Sequence, residues 1–302
     1  MGSTMLQLVD QVANELALPA PATVAGNTNL DVVQILALMN ACGYELLREH
    51  AWRNLTIPYL FYTQYLTTTG NWTTSARTIT GIPSTSGLDT TYQAIGTGIN
   101  QSAFITSVDS STQVTLNQNF QAAGGTNATV YFQKMKYDLP SDYDSIVPRT
   151  QWDKSKHWEM LGPEDAQQWE WLLSGYISTG PRIRWRLLGS YFQIWPGFSN
   201  QEFLGFEYRS KGWALSASGT VKNSFTVDTD TCIYPDRLMV NMTKLKYFEG
   251  KGFDTTAMYR NYMKELNSAK ALDMSSANLS FAPRPGSVLI GWENIPDGNY
   301  GT

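Results

Sequence analysis

Near its end the 302-residue chain reads Thr226-Val227-Asp228-Thr229-Asp230-Thr231 and then Tyr234-Pro235-Asp236-Arg237-Leu238. Asp228 and Asp230 alternate as the oxygen ligands of a calcium loop do, but the glycine and the distal glutamate that complete such a loop are missing. Short acidic side chains ahead of a helical pattern favour another role, because they accept hydrogen bonds from the free N–H groups of a helix. The stretch therefore predicts a strand-to-helix connection whose acids cap the next helix.

Helical patterns lie downstream of this stretch and at the start of the chain. Apolar residues recur at intervals of three and four over residues 235–248 and again over 254–272. The same spacing occurs over residues 4–18 and 29–52. The sequence therefore predicts a helix pair at each end of the chain.

Residues 54–137 change to a different pattern, in which Thr, Tyr, Val and Ile dominate and Gly, Asn and Ser interrupt at short intervals. The clearest predicted strands are residues 103–108, 113–116 and 129–133. Asp109-Ser110-Ser111-Thr112 predicts a tight turn between the first two, because Asp and Ser side chains bond to their own backbone there. We expect an all-β segment.

A second β layer is predicted further along the chain. Gly162-Pro163-Glu164-Asp165 predicts the start of a short helix that ends near Leu173, with acids at the positive end of its dipole. Alternating apolar residues then predict strands over 182–188, 191–195 and 202–209. Leu188-Gly189-Ser190 predicts a hairpin turn between the first two of these strands.

Together these patterns predict an α+β fold. Its helical body comprises the N-terminal helix pair and the C-terminal helices, with an antiparallel β layer and an inserted all-β sandwich or barrel domain. The expected boundaries are 1–54 for the N-terminal helical part, 55–137 for the insert, 138–275 for the rest of the body and 276–302 for an extended tail. The tail contains too much Pro and Gly for a regular element, yet it is too apolar for a free end.

Composition indicates a surface that becomes buried in an assembly. Charged residues make up 16% of the chain, against about 25% in typical soluble domains, while aromatic residues make up 13%. Interface cores show the same balance, although a large aromatic core would also explain it. The net charge of −4 argues against a module that grips nucleic acid.

The sequence predicts no catalytic or metal centre and no cofactor. Cys42 and Cys232 lack the spacing of a zinc site or a disulfide framework, and neither His50 nor His157 accompanies a nucleophile motif. The paired acids Glu164 and Asp165 are typical of a helix start rather than of a glycosidase. No run of about 18 apolar residues predicts a membrane span, so we expect a protein made in the cytoplasm that is not an enzyme.

Two clusters in the middle of the chain have alternative interpretations. Seven tryptophans could form a sugar-stacking platform, but alternation with strand residues favours packing in the core or at a subunit interface. They are Trp152, Trp158, Trp169, Trp171, Trp185, Trp195 and Trp213. Arg182, Arg184 and Arg186 occupy one face of a predicted strand and require partners, either an acidic neighbouring subunit, which we favour, or DNA.

The order of several blocks resembles the head-to-tail adaptor (connector or tail tubular) proteins of tailed bacteriophages, in particular short-tailed ones. The blocks are the N-terminal helix pair, Leu139-Pro140-Ser141-Asp142-Tyr143-Asp144, Thr150-Gln151-Trp152-Asp153, Leu161-Gly162-Pro163, Arg184-Trp185-Arg186, Gly205-Phe206-Glu207-Tyr208, the Asp-Thr-Asp-Thr stretch, and a last helix with Tyr259 and Ala269-Lys270-Ala271. No single block is specific. Their order over most of the chain carries the resemblance.

The resemblance implies a virion protein at the head-tail junction, assembled in the host cytoplasm. Its copies would form a twelvefold ring beneath the portal protein, connect to a tail nozzle or tail tube protein, with tail fibres as an optional further partner, and extend the channel through which DNA passes as cargo. Adaptors of this family often grip the portal with an extended C-terminal segment. The portal contact is therefore expected at Leu279, Phe281, Val288, Leu289, Ile290 and Trp292.

A second hypothesis belongs to a different class of protein. The Thr, Ser and Asn-rich strands of residues 55–137 resemble decoration domains of phage structural proteins. The chain would then be a tail-associated carbohydrate-binding or fibre-attachment protein that acts through the inserted β domain. Its aromatic residues Tyr92, Phe104, Phe120 and Tyr131 could contact a glycan, or could equally form the core of the insert.

Overall fold

The computed structural model describes residues 2–174 and 182–273. Helices occupy both ends of this range, and antiparallel sheets occupy most of what lies between them. The predicted α+β class is therefore confirmed. The expected portal contact, from Leu279 to Trp292, and the expected tail 276–302 lie outside the described residues.

Five α-helices occur in the described part of the chain, and the predicted patterns located each of them within a few residues. They are α1 (Met5–Glu15), α2 (Leu30–Glu49), α3 (Ala166–Leu173), α4 (Asp236–Lys251) and α5 (Thr256–Asp273). Helix α1 starts with a capping box formed by Thr4 and Gln7. Helix α4 ends at Gly252, which adopts a left-handed conformation with a φ of 75°.

The strands are short, and all of the pairings described between them are antiparallel. They are β1 (Thr56–Tyr62), β2 (Tyr65–Trp72), β3 (Thr78–Ile79), β4 (Tyr92–Ile95), β5 (Ile105–Ser110), β6 (Gln113–Leu116), β7 (Gly125–Lys134), β8 (Lys136–Asp138), β9 (Tyr143–Ile146), β10 (Trp152–Asp153), β11 (Trp158–Glu159), β12 (Arg184–Leu188), β13 (Tyr191–Trp195), β14 (Phe203–Ser210), β15 (Ala214–Leu215), β16 (Val221–Lys222) and β17 (Thr231–Cys232). The predicted hairpin is present as β12 and β13, which Gly189 connects with a φ of 59°.

The chain divides into two compact units. The described residues of the helical unit are 2–57, 142–146 and 208–273, and those of the β unit are 58–141, 147–174 and 182–207. The strands expected in the insert thus share a unit with residues 147–207, so a separate inserted domain is not confirmed. Its predicted boundaries stay a prediction.

The core of the helical unit forms where the buried faces of α1, α2, α4 and α5 meet a small sheet of β16, β15 and β17. Trp213 lies at its centre with no exposed surface and contacts the ring of Phe225 edge-on, with ring centroids 4.9 Å apart. Helical packing of this kind supplies most of the stability of such elements. The helical unit is therefore held by contacts between the two ends of the chain.

The acids of the Asp-Thr-Asp stretch do not cap α4, so that prediction is wrong. Pro235 precedes α4 and provides no side-chain cap. Asp230 instead accepts hydrogen bonds from the backbone N–H groups of Thr226 and Val227, and Asp228 accepts from Val24 and Ala25. Asp230 therefore binds residues of its own loop, and Asp228 binds residues near the start of the chain.

Backbone carbonyls of the same stretch cap a different helix. The N–H of Met5 donates to the carbonyl oxygen of Asp230 over 2.6 Å, and the N–H of Leu6 donates to that of Asp228 over 3.2 Å. These are free N–H groups of the first turn of α1. The Asp-Thr-Asp stretch therefore fixes the N-terminal helix rather than the one that follows it.

The described residues of the β unit form several clusters of buried apolar side chains, one of which contains Trp169 and Trp195. The sheets β2-β7-β4 and β3-β6-β5 pack around Trp72, Phe120 and Phe132. The sheet β12-β13-β8 is accompanied by rings that stack in sequence, from Trp185 through Phe192 to Phe206, with centroid distances of 5.4 Å and 4.7 Å. Aromatic residues thus supply much of the buried area of this unit.

Most of the tryptophan cluster belongs to these cores. Trp169, Trp185, Trp195 and Trp213 are between 0% and 3% exposed, which confirms the packing interpretation for them. Trp158 and Trp171 are exposed, but they lie on β11 and α3 respectively. In the proposed insert, Tyr92 and Phe120 are buried, while Tyr131 is exposed on β7.

Candidate interaction surface

Helix α2 is apolar on two opposite faces. One face is buried in the helical unit and comprises Val32, Ile35, Met39, Cys42, Gly43 and Leu46. The other face is exposed and comprises Leu30, Val33, Ala37, Ala41 and Tyr44, which follow one another at intervals of three and four residues. We call this second face the α2 stripe.

The α2 stripe leaves large side chains in contact with solvent. Leu30 is 83% exposed, Val33 47% and Tyr44 43%. Because α2 has 20 residues, the helix that carries the stripe is about 30 Å long. Contiguous apolar surface of this kind marks interaction sites on soluble proteins.

One flank of the stripe is fixed by contacts with other helices of the unit. Tyr247 donates to Asp31 over 3.2 Å, Lys246 pairs with Glu45 over 3.0 Å and Lys270 with Glu49 over 2.8 Å. These acidic side chains are used inside the unit. The stripe itself contains no charged residue, so it can be covered without the cost of desolvating an ion.

The exposed apolar surface extends beyond α2 at the turn between α4 and α5. Lys251, at the end of α4, approaches Asp31 to 3.8 Å and so places this turn near the start of α2. Phe253 in the turn is 60% exposed and contacts Phe248 edge-on, with ring centroids 5.5 Å apart. An apolar partner could therefore contact both the stripe and Phe253.

Within the described residues, α2 is also the one helix that meets the length and composition criteria for crossing a membrane. A core helix of a soluble protein meets the same criteria. Only 33% of the qualifying stretch is buried, because the α2 stripe faces outward. The sequence predicts this helix over residues 29–52 and predicts no membrane span.

The three arginines that the sequence places on one strand face have different surroundings in the structure. Arg182 is exposed and precedes β12. Arg184 pairs with the buried carboxylate of Glu164 over 2.5 Å. The Nε of Arg186 donates to Gln193 over 2.7 Å, and its guanidinium lies 4.4 Å from the ring centroid of Trp169. Partners inside the chain thus exist for Arg184 and Arg186, and a subunit contact at these residues stays a prediction.

The acids at the predicted helix start have separate roles. Asp165 caps α3 and, with Gln168, forms a capping box, whereas Glu164 turns to Arg184 and does not belong to the first turn. Pro163 likewise precedes the cap, so α3 starts later than predicted. His50 contacts Asp273 over 3.0 Å, and no group of His, Cys, Asp and Glu with metal-binding geometry occurs among the described residues.

Both cysteines are buried and free. Burial raises the pKa of the Cys42 thiol, and likewise that of Cys232, to about 12. A thiol with so high a pKa holds almost no thiolate at neutral pH and is a poor nucleophile. Neither cysteine has the character of a reactive group.

Sequence reasoning missed the α2 stripe although its signal is present. The residues that predict the helix, Val32, Ile35, Met39, Cys42 and Leu46 among them, lie on its buried face. The exposed residues from Leu30 to Tyr44 repeat the same spacing on the opposite side. A helix that is apolar on two opposite faces has to be covered on more than one side.

Comparison with known proteins adds no assignment. No protein-family model matches the chain, and no curated protein matches it. The resemblance to phage adaptors therefore rests on the order of the sequence blocks, and any functional argument from the structure rests on its surfaces.

Proposed function

We propose that the chain is a virion structural protein, a head-to-tail adaptor whose copies form a ring beneath the portal protein and extend the channel for DNA. The observation that carries this proposal is the α2 stripe, an apolar surface that the described residues of the chain leave exposed. The order of the sequence blocks supports the adaptor class. The net charge of −4 suits a wall along which DNA passes as cargo without being gripped.

The partner that we propose for the α2 stripe is a second copy of this chain. In a closed ring, each copy contacts the next through two different faces, so every copy must present a surface that its own fold leaves uncovered. The stripe from Leu30 to Tyr44 is about 21 Å long and roughly 10 Å wide, so it offers about 200 Å², less than the roughly 800 Å² per partner of a stable interface. The contact therefore includes Phe253 and further surface beyond the stripe.

The remaining partners follow from the same assembly. The portal protein lies on one side of the ring and a tail nozzle or tail tube protein on the other, with tail fibres as a further possible attachment. The segment 276–302 is the proposed portal contact. No chemical reaction is required of such a protein, which acts by joining head to tail.

The stripe can be tested with a charged variant. We expect Val33→Asp combined with Ala37→Asp to prevent ring formation, because each ring contact would bury two unpaired carboxylates. Both positions are exposed, so the monomer should fold normally. Native mass spectrometry and negative-stain imaging, with and without the portal protein of the same virus, report the assembly state.

The matched control places the same charges on exposed polar positions of α5, as Asn267→Asp combined with Ser268→Asp. The wild-type chain and this control should both give rings, at the latest when the portal is present. A wild-type chain that stays monomeric with its portal would overturn the adaptor proposal. Rings formed equally well by the stripe variant would overturn the assignment of the interface to α2.

A further inference from the structure

A row of three side chains crosses the sheet β12-β13-β8 in the β unit. Arg186 on β12 lies opposite Gln193 on β13, and Gln193 lies opposite Lys136 on β8. Directly opposed residues of an antiparallel sheet point to the same face. Two cations therefore lie on either side of one amide, about 10 Å apart at the backbone, since neighbouring strands are about 4.8 Å apart.

This row lines a cavity of about 330 Å³. Phe104, Trp169 and Glu170 line other parts of it. The cavity has the size of the smaller sites for organic ligands in proteins. Its walls combine two cationic groups with aromatic surface and a single carboxylate.

Arg186 is held in place while its terminal nitrogens stay available. Its Nε donates to Gln193, and its guanidinium packs on Trp169. Burial lowers the pKa of Arg186, and the nearby carboxylate of Glu170 partly opposes that effect. The two terminal nitrogens make no hydrogen bond with any described residue, in contrast with Arg184, whose charge is met by Glu164.

Lys136 is also without an acidic partner. Its Nζ lies 5.2 Å from the ring centroid of Phe104, and no carboxylate among the described residues approaches it within ion-pair distance. Two partly enclosed cations on one face repel each other unless an anion lies between them. The geometry therefore favours an anionic ligand.

We propose that this cavity binds an acidic monosaccharide unit, a sugar that carries one carboxylate. Two cations and the one carboxylate of Glu170 leave a charge of about +1, which matches one anionic group and disfavours a phosphate dianion. The fork of the Arg186 guanidinium fits a planar carboxylate. Gln193 and Glu170 can bond to hydroxyl groups, and the ring of Phe104 can pack on the C–H face of the sugar.

This site is independent of the proposed ring. It also differs from a glycan surface on the strands of residues 55–137 alone, because Arg186, Gln193 and Glu170 come from later in the chain. The ligand is identified by its chemistry, a carboxylate on a hydroxylated ring. Its source could be a free sugar acid or the acidic residue of a host glycan.

The test is a titration of the full-length chain with glucuronic acid and with N-acetylneuraminic acid, in which calorimetry or ligand-observed NMR measures binding. Glucose, acetate and inorganic phosphate serve as matched probes that lack the carboxylate, the ring or both. We expect millimolar binding of at least one acidic sugar and at least about tenfold weaker binding of all three probes. An oligosaccharide that ends in the same acidic sugar, tested in parallel, distinguishes a glycan from the free acid.

Variants locate the binding in the cavity. Lys136→Gln should weaken binding of the acidic sugar about tenfold, and Arg186→Lys, which keeps the charge but loses the fork, should weaken it as well. Lys134→Gln makes the same charge change outside the cavity and should leave binding unchanged, with circular dichroism confirming the fold of each variant. Equal binding of all anions, no binding of any acidic sugar, or equal effects of Lys136→Gln and Lys134→Gln would overturn the proposal.

Discussion

The two units of the chain expose different kinds of surface to a partner or ligand. The helical unit uses several of its charges in internal ion pairs, as Glu15 does with Arg237 and Lys244, and exposes apolar side chains along α2. The β unit buries many of its aromatic rings, and Lys136 and Arg186, which line one cavity in this unit, form no ion pair within 4.0 Å among the described residues. One unit is thus suited to a partner with apolar area, the other to a small charged ligand. Added salt should weaken only the second interaction.

The largest expected effect comes from removing a buried charge in the helical unit. Asp230 is 1% exposed and accepts hydrogen bonds from Lys222 and from the backbone of Thr226 and Val227. We expect Asp230→Ala to lower the free energy of unfolding of the helical unit by about 3 kcal/mol, because it leaves a partly buried lysine unpaired. Urea unfolding measures the loss, and amide hydrogen exchange shows whether it is confined to the helical unit.

The pH dependence of this effect has a defined sign. Burial alone would raise the pKa of Asp230, but Lys222 and the two N–H groups outweigh it and lower the pKa below the ordinary value of 3.8. The stabilisation is then complete above pH 3.8 and is lost as pH falls through the lower folded pKa. Asp230→Asn should therefore differ from the wild type at pH 6 and approach it in strong acid. A constant difference would show that the charge is not responsible.

A smaller effect is expected from a type of contact that occurs once in each unit, in which a glycine packs against a tryptophan ring. A Cβ at Gly43 would overlap the indole of Trp213, and one at Gly124 would overlap that of Trp72. Gly43 lies inside α2, where the backbone cannot retreat, whereas Gly124 lies in a loop just before β7. We expect Gly43→Ala to cost about 2 kcal/mol by overpacking, and Gly124→Ala to cost less.

The control for this pair is Gly250→Ala, another helical glycine. A Cβ there would lie 3.7 Å from the nearest atom, the Nε2 of Gln34. The substitution should stabilise α4 by up to about 1 kcal/mol through helix propensity. Thermal unfolding of the three variants checks the order. If Gly43→Ala also stabilised the protein, Trp213 would have to move to make room for the methyl group. The core of the helical unit would then not be tightly packed at this position.

The smallest expected effect concerns the ion pairs at the surface of the helical unit. Burial opposes ionisation of Glu15, but Lys244 and Arg237 outweigh it and lower the pKa of its carboxyl below 4.5. Glu15→Gln should cost about 1 kcal/mol at pH 7, as exposed pairs do. The difference should shrink as pH falls below 4.5, and 1 M salt should reduce it. Parallel urea titrations at low and high salt measure both trends.

Local patterns in the sequence predicted the elements well, because spacing and turn residues act over a few positions. The bounds of α2 and α5 and the hairpin of β12 and β13 came within a few residues of the prediction. The role of Asp228 and Asp230 was wrong for the opposite reason. Their partners include Val24, which is 204 residues away in the chain, and no local pattern encodes such a contact.

The two candidate sites differ in the same way, since one depends on local spacing and the other on contacts between distant residues. The α2 stripe is local and could have been read from the spacing of Leu30, Val33 and Tyr44. The cation row depends on the register of β8 against β13, which brings Lys136 to Gln193 across more than 50 residues of chain. A period of two identifies which face a residue occupies, but it does not identify its neighbour on the next strand.

The contact of Met5 and Leu6 with the carbonyls of Asp230 and Asp228 has a consequence for synthesis on the ribosome. Helix α1 emerges before the other helices, with its capping box of Thr4 and Gln7, but the carbonyls that accept from Met5 and Leu6 emerge only after residues 58–207 have been made. Until then the apolar faces of α1 and α2 lack the residues of α4 against which they pack. The helical unit is therefore completed last, and a nascent chain arrested before residue 226 should expose those faces to chaperones.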